Sequence, residues 1–169
     1  FRTRVRCEGV LITRGEQAIG APIAVLSGAR EAELAASGTL MGFPLANGIA
    51  GDLGGGSLEL IDIAAARSTA ATTLPLGGLR LIDTSGAKLD RAVEIVDSSL
   101  AEVPWLAAGE GRSFYAVGGT WRSLARLHMR QTGYPLHVMH EYSIEPDEAS
   151  DFCRMVTRRD IESLDSIEV

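Results

Sequence analysis

Three consecutive glycines flanked by two carboxylates form the segment of this sequence best suited to chemistry. In Asp52-Leu53-Gly54-Gly55-Gly56-Ser57-Leu58-Glu59 an acid precedes the glycines, and a hydroxyl and a second acid follow them. Because glycine has no Cβ, the backbone N–H groups of such a turn can approach an anion closely. Side chains alternate along a strand, which places Ser57 and Glu59 on one face. The segment could surround one phosphate and one hard cation; the alternative is a tight hairpin with solvated acids.

A second glycine bend offers another site for an anion. In Val117-Gly118-Gly119-Thr120 an apolar strand runs into two glycines and then into a predicted helix. The N-terminus of a helix has unpaired N–H groups and a partial positive charge, so it attracts anions. The alternative is a plain glycine turn in which Thr120 caps the helix. No lysine follows in the P-loop position, so the segment is not a P-loop.

A third candidate is Glu31, which comes shortly after the strand-like run that ends at Ser27-Gly28. This places a carboxylate in the first turn of a helix immediately after the end of a strand, where it could take part in a site. The alternative is that it only stabilises the helix dipole. His128, His137 and His140 lack the spacing of a zinc site, and His128 is predicted to be a half-buried helix residue.

The composition restricts the classes of partner. The chain has 169 residues, 46% of them hydrophobic, and a formal net charge of −6. Without a broad basic surface, nucleic acid and anionic membranes are unfavourable partners. No apolar stretch is long enough to span a membrane. Cys7 and Cys153 show no CxxC spacing, which predicts free thiols and a cytoplasmic protein. The chain begins at Phe1 rather than methionine, so we expect it to be part of a longer protein.

The elements that position these residues alternate between strands and helices, which predicts an α/β protein. Three strands around the glycine turn form a β-meander. Residues 87–103 carry an apolar stripe (Leu89, Val93, Val96, Leu100 and Val103) that predicts a helix packed on the core. Residues 1–19 are interpreted as a helix leading into a strand. The other predicted strands are 22–26, 48–53, 57–63, 68–76, 113–117 and 140–144, and the other predicted helices are 29–41, 79–83, 121–131 and 146–158.

Taken together, the motifs resemble the exopolyphosphatase / guanosine pentaphosphate phosphohydrolase family. The matching blocks lie between residues 22 and 131. They are Val25-Leu26-Ser27-Gly28 with Glu31-Ala32, Asp52-Leu53-Gly54-Gly55-Gly56-Ser57 with Glu59-Leu60, Leu74-Pro75-Leu76-Gly77 with Arg80-Leu81, and Val117-Gly118-Gly119-Thr120. The resemblance implies an actin-like (ribonuclease H-like) fold with a mixed sheet flanked by helices. Residues 1–40 would be the end of a first lobe with its crossover helix, and 41–169 the second lobe.

The resemblance also implies an activity, the hydrolysis of terminal phosphoanhydride bonds with release of orthophosphate. The substrate would be inorganic polyphosphate or guanosine pentaphosphate, the cofactor Mg²⁺, and the assembly a homodimer. Glu31 falls on the residue that activates water, and Asp52 and Glu59 fall on the acidic positions associated with metal. The positions of the phosphate loops are Gly54, Gly55, Gly56, Ser57, Gly118, Gly119 and Thr120. The same fold also supports sugar or acetate kinases and non-catalytic phosphate-binding or nucleotide-binding modules, and both remain alternatives.

Two features depart from the family pattern. Leu58 occupies a position where the family commonly has threonine, but alternation turns it away from Ser57 and Glu59. The first phosphate motif of the family, of the type Asp-x-Gly-Ser-Asn-Ser, is missing from the sequence. We therefore expect this chain alone to bind polyphosphate weakly and to hydrolyse it poorly or not at all.

Overall fold

A computed structural model of the chain describes residues 2–136 and 138–158. Six α-helices, one 3₁₀ helix and four strands occur in these residues. The helices are α1 (Arg2–Ile19), α2 (Gly28–Gly42), α3 (Gly78–Ser85), α4 (Leu89–Ala101), α5 (Gly119–Thr132) and α6 (Pro146–Arg158), with the 3₁₀ helix at Pro104–Gly109. The strands are β1 (Gly48–Leu53), β2 (Leu58–Ala64), β3 (Arg67–Leu74) and β4 (Ser113–Val117).

The four strands form one mixed sheet in the order β3-β2-β1-β4. Strands β1, β2 and β3 are antiparallel neighbours, as the glycine-rich and short connections between them require. Strand β4 returns through the segment containing α3 and α4 and pairs with β1 in parallel. The predicted meander and the α/β class with a mixed sheet are therefore confirmed.

Each face of the sheet packs against helices. Ala50, Ile61 and Ile63 point to the same side, because they alternate with residues of the other face, and they pack with Ala32 and Ala36 of α2. On the opposite side a second apolar cluster joins the sheet to α3, α4 and the 3₁₀ helix through Ile49, Leu60, Leu74, Leu76, Val103 and their neighbours. The sheet is thus the middle layer, and α2 packs on the face that carries Glu59.

Arg112 fixes the start of β4 with a set of four hydrogen bonds. Its guanidinium donates to Asn47 Oδ1 (2.9 Å), to Asp62 Oδ1 (2.8 Å) and to the carbonyl oxygens of Ile63 (2.8 Å) and Ala108 (3.1 Å). The Thr69 hydroxyl, together with this guanidinium, holds the pKa of the Asp62 carboxyl below its ordinary value. These contacts tie β4 to the hairpin of β1 and β2.

Two predicted strands are wrong. Residues 22–26 have no regular secondary structure and pair with no strand of the described chain, and Val25 is 71% exposed. A short apolar run forms a buried strand only where another strand supplies hydrogen-bond partners. Residues 140–144 form a turn and an irregular segment, in which Glu141 has φ 62° and Tyr142 packs on His128 instead of pairing with a strand.

Two other predictions need correction. Residues 2–19 are helical to Ile19, so the strand expected at the end of that segment is absent. The apolar stripe of α4 packs on the core only in its second half, because Leu89 and Val93 are half exposed while Val96 and Leu100 contact the buried cluster. The division into lobes at residue 40 remains a prediction.

Several smaller expectations concern single side chains. Cys153 is exposed with a free thiol, whereas the side chain of Cys7 and residue His137 lie outside the described part of the chain. His128 is 3% exposed, more buried than predicted. No helix among the described residues is long and apolar enough to cross a membrane.

Candidate functional site

The glycine turn between β1 and β2 is held open by the segment that follows β3. The Gly54 amide donates to Ser57 O (3.0 Å), while Gly54 O accepts from the Gly78 amide (3.1 Å). Gly77 lies so close that a Cβ on it would be 2.3 Å from the Ser57 nitrogen, and only glycine fits there. The segment at Gly77 and Gly78 therefore packs against one side of the turn and fixes its position.

The front of the turn remains accessible. Gly54, Gly55 and Gly56 are exposed, and Gly56 has no hydrogen-bond partner within residues 2–136 and 138–158. A Cβ at Gly56 would meet nothing within 4 Å. An unpaired amide in an open turn without side chains is suited to an anion such as a phosphate group.

The strand register brings polar residues into one row across the sheet. Asp52 lies directly opposite Glu59 on β2, and Glu59 lies directly opposite Thr73 on β3. Directly opposed residues point to the same face of a sheet, so these three side chains all face α2. On the other side Asp52 is paired with Val117, the residue that precedes the second glycine bend.

Helix α2 begins over this row. Ser27 is the N-cap, and its hydroxyl accepts from the Arg30 amide (3.3 Å). A Cβ at Gly28 would be 2.6 Å from Thr73 Oγ1, so the helix starts in close contact with β3. Glu31 lies in the first turn after this contact and is exposed. The N-terminus of α2 thereby brings Glu31 to the end of the sheet that carries Glu59.

The charges of two carboxylates consequently act on the third, Glu59. Burial raises the pKa of the Glu59 carboxyl above its ordinary value, and the charges of Glu31 and Asp52 raise it further, while the Ser57 hydroxyl opposes the shift. Glu59 is 5% exposed, and its Oε1 atom is a buried side-chain oxygen without a hydrogen-bond partner among the described residues. A buried acceptor among negative charges fits a cation as its missing partner.

Glu59→Gln is expected to stabilise the protein by on the order of 1 kcal/mol at neutral pH, since it removes a buried charge that faces two others. A carboxyl with a raised pKa in the folded state makes the fold less stable as the pH rises above its ordinary value of 4.5. The gain should therefore appear above that pH and disappear below it. Thermal unfolding of both proteins across this range, without added divalent cations, measures the difference.

Glu94→Gln is the matched control for that measurement, because Glu94 is exposed on α4. It removes the same charge from a solvated position and should leave the midpoint unchanged at every pH. Equal effects of the two substitutions, or a gain for Glu59→Gln that is the same at all pH values, would show that burial beside two other acids does not raise the Glu59 pKa.

The second glycine bend lies directly beside Asp52. Gly118 has φ 110°, a conformation that residues with a Cβ rarely adopt, and a Cβ there would be 3.0 Å from Asp52 Oδ1. Gly118 is the N-cap of α5, and no side chain caps this helix, so the alternative in which Thr120 is the cap is wrong. The first N–H groups of α5 therefore lie beside Asp52.

A cavity of about 380 Å³ joins the two bends. It is lined by Leu53, Gly54, Gly55, Gly78, Leu79, Ile82, Gly119 and Thr120. Gly56, Ser57 and Gly118 and the carboxylates Glu31, Asp52 and Glu59 do not line it. The structure thus forms two adjacent groups. One is the acidic row under α2, formed by Glu31, Asp52 and Glu59, and the other is the cavity at the two bends. Asp52 and Leu53, neighbours on β1, connect the two groups.

The acidic row is a poor metal cage by itself. Within residues 2–136 and 138–158, no three His, Cys, Asp or Glu side chains come close enough together to hold a metal ion. Mg²⁺ in phosphate-processing sites is instead bound by one or two carboxylates, together with waters and phosphate oxygens. The unpartnered Oε1 of Glu59 fits a role of this kind.

The sequence did not predict the residues that close the cavity on its far side. Gly78, Leu79 and Ile82 belong to α3, a helix that the sequence predicts over 79–83, but nothing in that segment marked these three residues as part of a site. Trp121 is no stacking platform for a base, since its indole N–H donates to Gly51 O (3.1 Å) and its ring packs against Phe114.

Comparison with known proteins identifies the fold and then the family. The chain is an α/β protein of the actin-like type, and the model of the Ppx/GppA phosphatase family matches residues 4–168. The chain therefore belongs to the Ppx/GppA phosphatase family. No curated protein matches it.

Solved structures agree with this assignment. An exopolyphosphatase from Cytophaga hutchinsonii is 29% identical with a TM-score of 0.61, and the match covers 76% of this chain and 44% of that protein. An exopolyphosphatase-like protein is 25% identical with a TM-score of 0.61, over 73% of this chain and 43% of its own. The Ppx-GppA enzyme of Aquifex aeolicus shares the fold, with 19% identity and a TM-score of 0.52. This match covers 73% of this chain and 42% of that enzyme. The chain thus spans less than half the length of these proteins.

Proposed function

We propose that the protein hydrolyses terminal phosphoanhydride bonds of inorganic polyphosphate or guanosine pentaphosphate and releases orthophosphate. The observation that carries this proposal is the placement of Asp52 and Glu59 on one face of the sheet, below the N-terminus of the helix that carries Glu31 and beside an open glycine turn. Membership of a phosphatase family and similarity to an exopolyphosphatase support it.

Glu31 is proposed as the general base. It is exposed, so water can reach its carboxylate, and the first turn of α2 holds it near the acidic row. Phosphoryl transfer needs an oriented water and little covalent chemistry from the protein. A carboxylate that accepts a proton from the attacking water supplies both orientation and proton removal. A module that only binds phosphate has no need of such a base.

Asp52 and Glu59 are proposed to hold Mg²⁺, which when bound neutralises charge on the phosphate oxygens. The buried Oε1 of Glu59 is the atom that supports this role. The amides of Gly54, Gly55, Gly56, Gly118, Gly119 and Thr120 and the Ser57 hydroxyl are proposed to bind the phosphates. Amide N–H groups fixed before the reaction stabilise negative charge without reorganisation.

Orthophosphate release by the full-length protein tests the proposal. We expect release from long-chain polyphosphate or guanosine pentaphosphate in the presence of Mg²⁺, and loss of release when EDTA removes the cation. Parallel reactions with ATP and candidate sugars or acetate test for a kinase. Transfer of phosphate from ATP to such an acceptor, or binding of both phosphate substrates without release, would overturn the assignment.

A further inference from the structure

Three arginines form a row on the solvent face of α5. Arg122, Arg126 and Arg130 follow one another at intervals of four residues, and all three are exposed. Positions four apart lie one above the other on a helix. None of the three forms an ion pair with a carboxylate of residues 2–136 or 138–158.

The packing of α5 fixes the direction in which this arginine row faces. Trp121 bonds to the sheet, and His128 is buried against Tyr142, whose hydroxyl is 2.6 Å from His128 Nδ1, and against Phe152. The anchors lie on a different side of the helix from the arginines, which are exposed, so the row faces solvent. The segment Gly119–Thr132 contains no acidic residue, although the whole chain has a net charge of −6.

The arginine row begins at the cavity. Gly119 and Thr120, the first residues of α5, line that cavity. The guanidinium of Arg122 turns back toward the bend, with its Nη2 3.9 Å from the position of a Cβ at Gly119. From Arg122 to Arg130 the helix rises about 12 Å, so the row leads away from the bend for that distance.

We propose that the arginine row binds successive phosphates of a polyphosphate chain that extends out of the cavity along α5. The inference rests on the proposed function, since it takes the glycine bends as the place where the chain end is held. Guanidinium groups bind phosphate oxygens in bidentate geometry. A row of this length contacts only a substrate longer than the bends can hold, so it selects for chain length.

The same surface is poorly suited to nucleic acid. Proteins that bind single-stranded RNA or DNA combine basic residues with aromatic side chains on which bases stack. The exposed face of α5 presents no aromatic residue, because Trp121 packs against the sheet. An inorganic polyanion without bases matches a surface that offers only guanidinium groups.

Calorimetric titration of the full-length protein at low salt with two probes, inorganic tripolyphosphate and long-chain polyphosphate, tests the inference. The variant Arg126→Ala/Arg130→Ala removes the outer two arginines and leaves the bends intact. Its affinity for long-chain polyphosphate is expected to fall about fivefold, because exposed ion pairs are individually weak. Its affinity for tripolyphosphate should not change. The matched control is Arg67→Ala/Arg91→Ala, which removes two exposed arginines outside α5 and should retain both affinities.

Each other outcome contradicts a stated part of the inference. If the α5 variant and the control lose equal affinity for long-chain polyphosphate, the loss comes from the change in net charge and not from the arginine row. If the α5 variant loses as much affinity for tripolyphosphate as for long-chain polyphosphate, the row does not select for chain length. If the protein binds a single-stranded RNA more tightly than long-chain polyphosphate, the row is a nucleic-acid site instead. If the unaltered protein binds neither polyphosphate, the proposed function fails as well; if it binds both and the variant is unchanged, only the arginine row fails.

Discussion

Glu31→Gln is expected to lower the rate of orthophosphate release by the full-length protein by roughly 10²–10⁴-fold, the contribution typical of a general base. Glutamine keeps the size and polarity of the side chain but cannot accept the proton of the attacking water. Glu31 is exposed, so the substitution costs the fold little beyond a weaker interaction with the helix dipole. The measurement is the steady-state rate at saturating polyphosphate, with thermal unfolding as the check on folding.

Glu33→Gln provides the matched control. Glu33 lies in the same helix two residues further on, is exposed, and pairs with Arg30 at 2.7 Å on the surface. Its substitution removes the same charge and should leave the rate unchanged. If Glu31→Gln retains the full rate, or if both variants lose it equally, Glu31 is not the base and only stabilises the N-terminus of α2.

Gly118→Ala is expected to reduce the rate about a hundredfold, because small displacements of positioning groups carry costs of that size. A Cβ at Gly118 would be 2.7 Å from Leu53 O and 3.0 Å from Asp52 Oδ1, and its φ of 110° is strained for alanine. Relief of these contacts requires the bend, Asp52 or the end of β1 to move. The substitution thus disturbs both proposed phosphate loops and the acidic row, and tripolyphosphate affinity should fall together with the rate.

Gly38→Ala separates this effect from a general response to losing a glycine. Gly38 lies inside α2, and a Cβ there meets nothing within 4 Å. Alanine should therefore stabilise the helix by about 0.5–1 kcal/mol and leave the rate unchanged. Normal rate and affinity in Gly118→Ala would show that the second bend takes no part in the site.

Local sequence signals predicted most elements of the fold because each has a periodic pattern and a clear end. β1 and β4 begin and end where the sequence indicates, and α6 begins there, since glycine, proline and charged residues border them. Residues 22–26 carry the same apolar signal but have no neighbouring strand among the described residues. Whether an apolar run pairs depends on distant parts of the chain, which a local pattern does not contain.

For the site, too, the sequence predicted the features that are continuous in the chain but not the contacts between distant residues. The glycine turn and its flanking acids could be recognised because they are continuous in sequence. The contact of Gly28 with Thr73 and that of Gly77 with Ser57 join residues far apart in the chain, and only the packing reveals them. The roles of Glu31, Asp52, Glu59 and the two loops remain predictions, while the family and fold are established.

The contacts of Arg112 have a consequence for how the molecule unfolds. One guanidinium joins Asn47 before β1, Asp62 and Ile63 on β2 and Ala108 of the 3₁₀ helix, directly ahead of β4. Opening any of these strands breaks bonds that hold the others, which makes the three strands a single cooperative unit. Both glycine bends extend from the other end of that unit, so its cooperative unfolding releases the two bends together.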